Sequence, residues 1–91
     1  MYQLISTRHF ERQLARFERA HTELRRRIAQ ALLDLENDPF QPHLRLHALS
    51  GQLAGLHAAS VTYTYRIVLT LRISEQEITL LNIGSHDEVY R

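Results

Sequence analysis

One stretch limits the folds open to this chain more than any other. From Tyr63 to Ile73 the side chains alternate: Tyr65, Ile67, Leu69, Leu71 and Ile73 fall to one side, and Thr64, Arg66, Val68, Thr70 and Arg72 to the other. That is the period of a β-strand with one apolar face. Ser74-Glu75-Gln76 reads as a turn, and Glu77 to Ile83 as a second strand. The segment Tyr63 to Ile83 is therefore expected to be a β-hairpin, and its apolar face needs a cover.

Two helices upstream can supply that cover. Tyr2 to Ile5 is short, apolar-rich and expected to be a strand, and Ser6 or Thr7 offers a helix N-cap. Phe10, Leu14 and Phe17 then recur at helical spacing. Ala20-His21-Thr22 reads as a tight connection, with Thr22 able to cap a second helix. Leu24, Ile28, Ala31, Leu32 and Leu35 form the apolar stripe of that helix. Asn37-Asp38-Pro39 ends it, because the residue before a proline is pushed out of the helical conformation. Two helices on so short a link are expected to pair as an antiparallel hairpin. Arg25, Arg26 and Arg27 near the start of the second helix read as a solvated face, ion-paired to Glu18 or Glu23, or else as a phosphate-contacting patch.

Phe40 to Gln52 reads as a linker stiffened by Pro42 and ending in a short strand. Leu53 to Val61 reads as a strand whose small residues, Gly55, Ala58 and Ala59, suggest close approach by a neighbour. The expected fold class is α+β: an N-terminal strand, then a helix hairpin packed on one face of a mostly antiparallel four-stranded sheet, all in one domain over residues 1–91. The other face has no helix left to cover it and carries Arg66.

Composition adds chemistry. All eleven basic residues are arginine, and the chain of 91 also holds six histidines, so phosphate-forking and titrating groups are both plentiful. The net charge of +1 gives no overall field that would announce a nucleic-acid partner. Without cysteine there is no disulfide, cysteine–zinc site or thiol nucleophile. His43 and His47 lack the companions of a zinc site, so no metal and no cofactor are expected. No leader or membrane-spanning run is visible, and a cytoplasmic location is the expectation. The last ten residues stand out. Asn82 to Arg91 places His86, Asp87, Glu88, Tyr90 and Arg91 straight after an apolar strand and Gly84.

His47-Ala-Leu-Ser-Gly51, Leu53-Ala-Gly55, Tyr65-Arg-Ile-Val68 and Ile83-Gly-Ser-His-Asp-Glu-Val-Tyr90 together resemble the RelE/ParE toxin superfamily, and most closely its YafQ-like branch. The resemblance covers nearly the whole chain. It implies a toxin of a type II toxin–antitoxin pair, acting as a ribosome-dependent endoribonuclease on mRNA in the ribosomal A site, by metal-free attack of a 2′-hydroxyl. It also implies a cognate antitoxin as partner, operator DNA bound by the pair through the antitoxin, and no membrane. By the same resemblance His86 and His47 are candidates for proton transfer and Arg66 for the scissile phosphate. Tyr90 is the candidate for stacking on a base. Arg72 and His57 are further substrate-binding candidates, one on the polar face of the hairpin and the other on the preceding strand. Two features depart from the YafQ-like pattern: the strand histidine and aspartate expected near Ser60 and Thr64 are absent, and Asn82 stands where an arginine is expected; unlike RelE-like enzymes, the chain also has no lysine. The alternatives are a non-catalytic ParE-like inhibitor of DNA gyrase and a degraded toxin kept as a binding partner.

Overall fold

The computed structural model describes residues 1–90; Arg91, whose guanidinium the sequence offers for phosphate contact, lies outside the described residues. The elements in order are β1 (Gln3–Ser6), α1 (Arg8–Ala20), α2 (Arg25–Asn37), β2 (His47–Ala48), β3 (His57–Ser60), β4 (Tyr65–Arg72), β5 (Glu77–Ser85) and α3 (His86–Val89). The fold is α+β, with one sheet of strand order β1-β5-β4-β3-β2. It has five strands where four are expected from sequence, because the two-residue β2 pairs with β3 at its edge. β1 runs parallel to β5, and the other pairings are antiparallel.

The helix-side core joins all the long elements. Phe10 and Phe17 from α1, Ile28, Ala31 and Leu35 from α2, Ile67 and Leu69 from β4, and Ile78, Leu80 and Ile83 from β5 belong to one buried cluster. Each large side chain so buried contributes about 1.5–3 kcal/mol relative to exposure. Leu14, Leu24 and Leu32 only flank this cluster, so the expected stripes are real but their edges remain partly open. α2 starts later than its Thr22 cap suggests. Thr22–Leu24 forms a 3₁₀ turn, and Leu24 precedes the helix without a side-chain cap bond.

Two details of the sheet differ from the sequence expectation. The strand expected from Leu53 begins only at His57, since Gly51–Leu53 is a 3₁₀ turn and Gly55 sits at a φ of +95°. A Cβ on Gly55 would meet nothing within 4 Å, so this glycine serves a turn and not a close approach. The second detail is a register shift between β4 and β5. Val68 pairs with Asn82 but Leu69 pairs with Leu80, leaving Leu81 as an extra residue in β5. The extra residue exchanges the faces of β5. Ile78 and Leu80 face the helices, and so does Ile83, while Asn82 and Gly84 face the opposite side with Arg66.

Thr7 locks the first helix to this sheet. Its hydroxyl accepts the Phe10 N–H at 3.1 Å as the N-cap of α1, and donates to the Leu80 carbonyl of β5 at 2.8 Å. One side chain thus satisfies a helix donor and fixes the helix against the sheet. Thr7→Ala is expected to lower the unfolding free energy by about 1–3 kcal/mol, the sum of a lost cap and a lost hydrogen bond. Thr7→Ser should recover most of it, both read from urea unfolding.

Candidate active site

The face of the sheet away from α1 and α2 is not bare, as the sequence suggests, but is partly covered by α3. That helix is a single turn. It exists because Ser85 and Glu88 form a capping box: the Glu88 N–H donates to Ser85 Oγ at 3.3 Å, and the Ser85 N–H donates to Glu88 Oε1 at 2.9 Å. Its one buried residue, Val89, sits over Gly84. A Cβ at position 84 would lie 3.2 Å from Glu88 Cβ and 3.3 Å from Val89 Cγ1, so glycine is what lets the turn fold this close to the strand. Val68 and Ala58, on the same face, are also buried.

The turn delivers His86 and Tyr90 as a pair. Their rings meet edge to face, with centroids 4.3 Å apart. The Tyr90 hydroxyl lies 3.4 Å from His47 Nε2, and His47 Nδ1 lies 2.9 Å from the Arg45 carbonyl. A carbonyl can only accept, so Nδ1 carries the proton and donates it to Arg45, and Nε2 of the neutral ring keeps its lone pair toward Tyr90. Arg45 adopts a φ of 50°, a left-handed conformation uncommon for a side chain of this size. That conformation aims its carbonyl at the His47 ring two residues on.

Arg66 stands beside this line on β4, opposite Gly84 of β5 and Ser60 of β3. The guanidinium is half-buried and makes no ion pair among the described residues, and its Nε is buried without a hydrogen-bond partner. A buried polar group left in this state costs about 1–3 kcal/mol. Among the described residues Arg66 makes no ion pair with Asp87. It opens, with Arg45, Tyr63, His86 and Asp87, onto a groove of 360 Å³. His86 is well exposed there, 3.7 Å from the Asp87 carboxylate.

Four of the six residues singled out in the sequence are therefore close together: His86, Tyr90 and His47 in direct sequence of contacts, and Arg66 across the groove from His86. The other two are elsewhere. Arg72 is six residues further along β4, roughly 20 Å away for an extended strand, and is engaged by Glu75 at 2.9 Å and Glu77 at 3.5 Å. His57 pairs with Leu69 and so lies on the helix side of the sheet, with its Nδ1 buried and unpartnered. Arg45 and Tyr63 line the groove although no motif in the sequence marks them. The only signal for Arg45 is a lone arginine between two leucines just before His47. Among the described residues no group of three or more histidines and carboxylates could hold a metal ion. Among the described residues no helix is long and apolar enough to cross a membrane. Gly84→Val is expected to lift α3 from the sheet without unfolding it. NMR should then show contacts between Tyr90 and His47 lost while amide protection in β4 and β5 persists.

The same architecture occurs in known proteins. The sequence profile of the YafQ toxin family, bacterial toxins of type II toxin–antitoxin systems, matches residues 2–91. Among solved structures, YafQ from Escherichia coli superposes with a TM-score of 0.82 at 13% identity, covering 100% of both chains. The E. coli DinJ–YafQ complex gives 0.80 at 14% identity, again over 100% of both chains. A YoeB/ParE toxin from Agrobacterium tumefaciens gives 0.75 at 20% identity, over 94% of this chain and 99% of that one. No curated protein matches in sequence. The profile spans almost the whole chain, and on that match the protein belongs to the YafQ family of type II toxin–antitoxin toxins.

Proposed function

We propose that the chain is the nuclease of its toxin–antitoxin pair, an endoribonuclease that cuts mRNA in the ribosomal A site. The observation that carries this reading is Arg66: a guanidinium partly removed from water, held without an anionic partner among the described residues, in the same groove as an exposed histidine. A scissile phosphate would supply the missing partner, with a charge-assisted bond stronger than one made in open water. A protein that only bound a target would have no use for an imidazole beside such a guanidinium, with a second one linked to it through Tyr90.

In the proposed reaction the ribose 2′-oxygen attacks the adjacent phosphorus, and its proton passes to His47 Nε2, the nitrogen left with a lone pair by the bond to Arg45. The bond from phosphorus to the 5′-oxygen breaks, and His86 gives that oxygen its proton. The products are a 2′,3′-cyclic phosphate and a 5′-hydroxyl. Arg66 neutralises the charge that builds on the phosphorane, and Tyr90 swings from His47 to stack on an unpaired base. Arg45 offers a second cation where Asn82 replaces the family arginine; Asn82 instead accepts its neighbour Ile83's N–H at 2.9 Å. The partner would be a cognate antitoxin, as the DinJ–YafQ and YoeB–YefM complexes of related fold suggest, and in this reading one of its segments covers α3 and the groove. The site of action would be the cytoplasm.

Expression without the antitoxin is expected to arrest growth, and His86→Ala combined with Arg66→Ala to relieve the arrest. Primer extension on mRNA from expressing cells should show breaks that His86→Ala reduces by roughly 10²–10⁴-fold, the usual contribution of one acid–base group. Chelators should not affect the cutting. Intact transcripts together with inhibited DNA supercoiling would replace this reading with gyrase inhibition.

A further inference from the structure

The groove at Arg66 does not end there. A cavity of 150 Å³ shares Arg45 and Tyr63 with it and adds Arg27 and His43. A third, of 220 Å³, shares Arg27, His43 and Ser60 with the second and adds Asp34. Through these shared lining residues the three follow one another as a channel-like path from His86, past the β3–β4 turn, to α2.

Its charge is one-sided. Arg66, Arg45 and Arg27 make no ion pair among the described residues, and the expected pairing of the Arg25–Arg27 cluster with Glu18 or Glu23 does not form. Among the described lining residues the acidic side chains lie only at the ends. Asp87 is beside His86. Asp34 is bonded by His43 at 2.8 Å and by Gln30 at 2.9 Å. The His43 ring first, and the Gln30 amide second, hold the Asp34 carboxyl below the usual carboxylate range. Between those ends the channel suits an anionic chain.

Midway stands Tyr63, 86% exposed. Its backbone is fixed. Thr62 Oγ1 accepts the N–H groups of Thr64 at 3.2 Å and Tyr65 at 3.1 Å, and the Val61 N–H donates to the Tyr65 carbonyl at 2.9 Å. A rigid turn thus presents a bare aromatic ring between two arginines. An acidic peptide has no need of that ring. Single-stranded nucleic acid does, since its phosphates and its base faces alternate along the strand.

We propose that the RNA flanking the cut bond lies in this channel, with one base stacked on Tyr63 and successive phosphates held by Arg45 and Arg27. The inference rests on the nuclease reading and extends it to a second stretch of substrate. It makes Tyr63 and Arg27 binding residues outside the proton-transfer site.

Two measurements test it. The first is fluorescence anisotropy of the purified protein with a labelled single-stranded RNA of about eight nucleotides, 2′-O-methylated so that it cannot be cut. Tyr63→Ala should weaken binding roughly 5- to 150-fold, the range for one lost stack, and Tyr63→Phe should bind like the wild type. Arg27→Ala should weaken it and reduce the salt slope by about one unit. The second is primer extension in expressing cells, where Tyr63→Ala and Arg27→Ala should cut less and with altered preference at flanking positions. Absence of wild-type RNA binding, or Tyr63→Ala and Arg27→Ala binding and cutting as the wild type does, overturns the proposal. Unchanged RNA binding with weakened capture of the antitoxin also overturns it, and assigns the channel to protein. Tyr63-dependent RNA binding with transcripts left intact upholds the channel as an RNA surface and removes the nuclease reading.

Discussion

The pairing of β4 with β5, and the single extra residue within it, is what the rest of the structure depends on. Strict alternation from Ile78 and Leu80 would place Asn82 and Gly84 under the helices and turn Ile83 away from them. Leu81 breaks the alternation. Ile83 then completes the core, and Gly84 comes to lie opposite Arg66 on the other face. The same residue therefore serves packing and site at once: remove it, and either the core loses an isoleucine or the turn that carries His86 begins on the wrong side of the sheet.

What hangs from that pairing is held by few interactions. α3 is one turn long, too short to persist by helix cooperativity alone. A capping box, one buried valine and the absence of a side chain at Gly84 hold it in place. Opposite it, Arg66 keeps a buried nitrogen unsatisfied and Arg45 keeps a left-handed backbone. These local costs are supported by a core to which both long helices and strands β3, β4 and β5 contribute, and they gather around one groove.

Much of this is legible in the sequence, for physical reasons that differ between elements. The β4–β5 hairpin and both long helices announce themselves by the period of their apolar residues, because burial of one face is what makes them fold. The candidates His86, Tyr90, His47 and Arg66 are visible as residue types and by resemblance, and the sheet does gather them. The parallel placement of β1 is not visible, since period says nothing about which neighbour a strand takes. α3 falls below the length at which period can be read, yet Ser85 and Glu88 carry its capping signature. His57 misleads because the face a strand residue takes depends on register. Arg72 misleads because the turn beside it brings two carboxylates within reach. Arg45 is marked only by standing between two leucines, which does not foretell its left-handed conformation at the end of the Pro42–Leu44 turn.

β1 has its one partner in β5, with Gln3 facing Glu77. Nearly the whole chain must therefore be made before the first strand can be paired. Until β5 arrives, α1 has no Leu80 carbonyl for Thr7, the sheet has no link to its N-terminal edge, and Arg66 has Ser60 of β3 opposite it but not Gly84 of β5. Contacts this distant in sequence are slow to close. During synthesis the nascent protein thus passes through a long interval in which it holds most of its arginines and histidines but no site, because β5 and α3 come last.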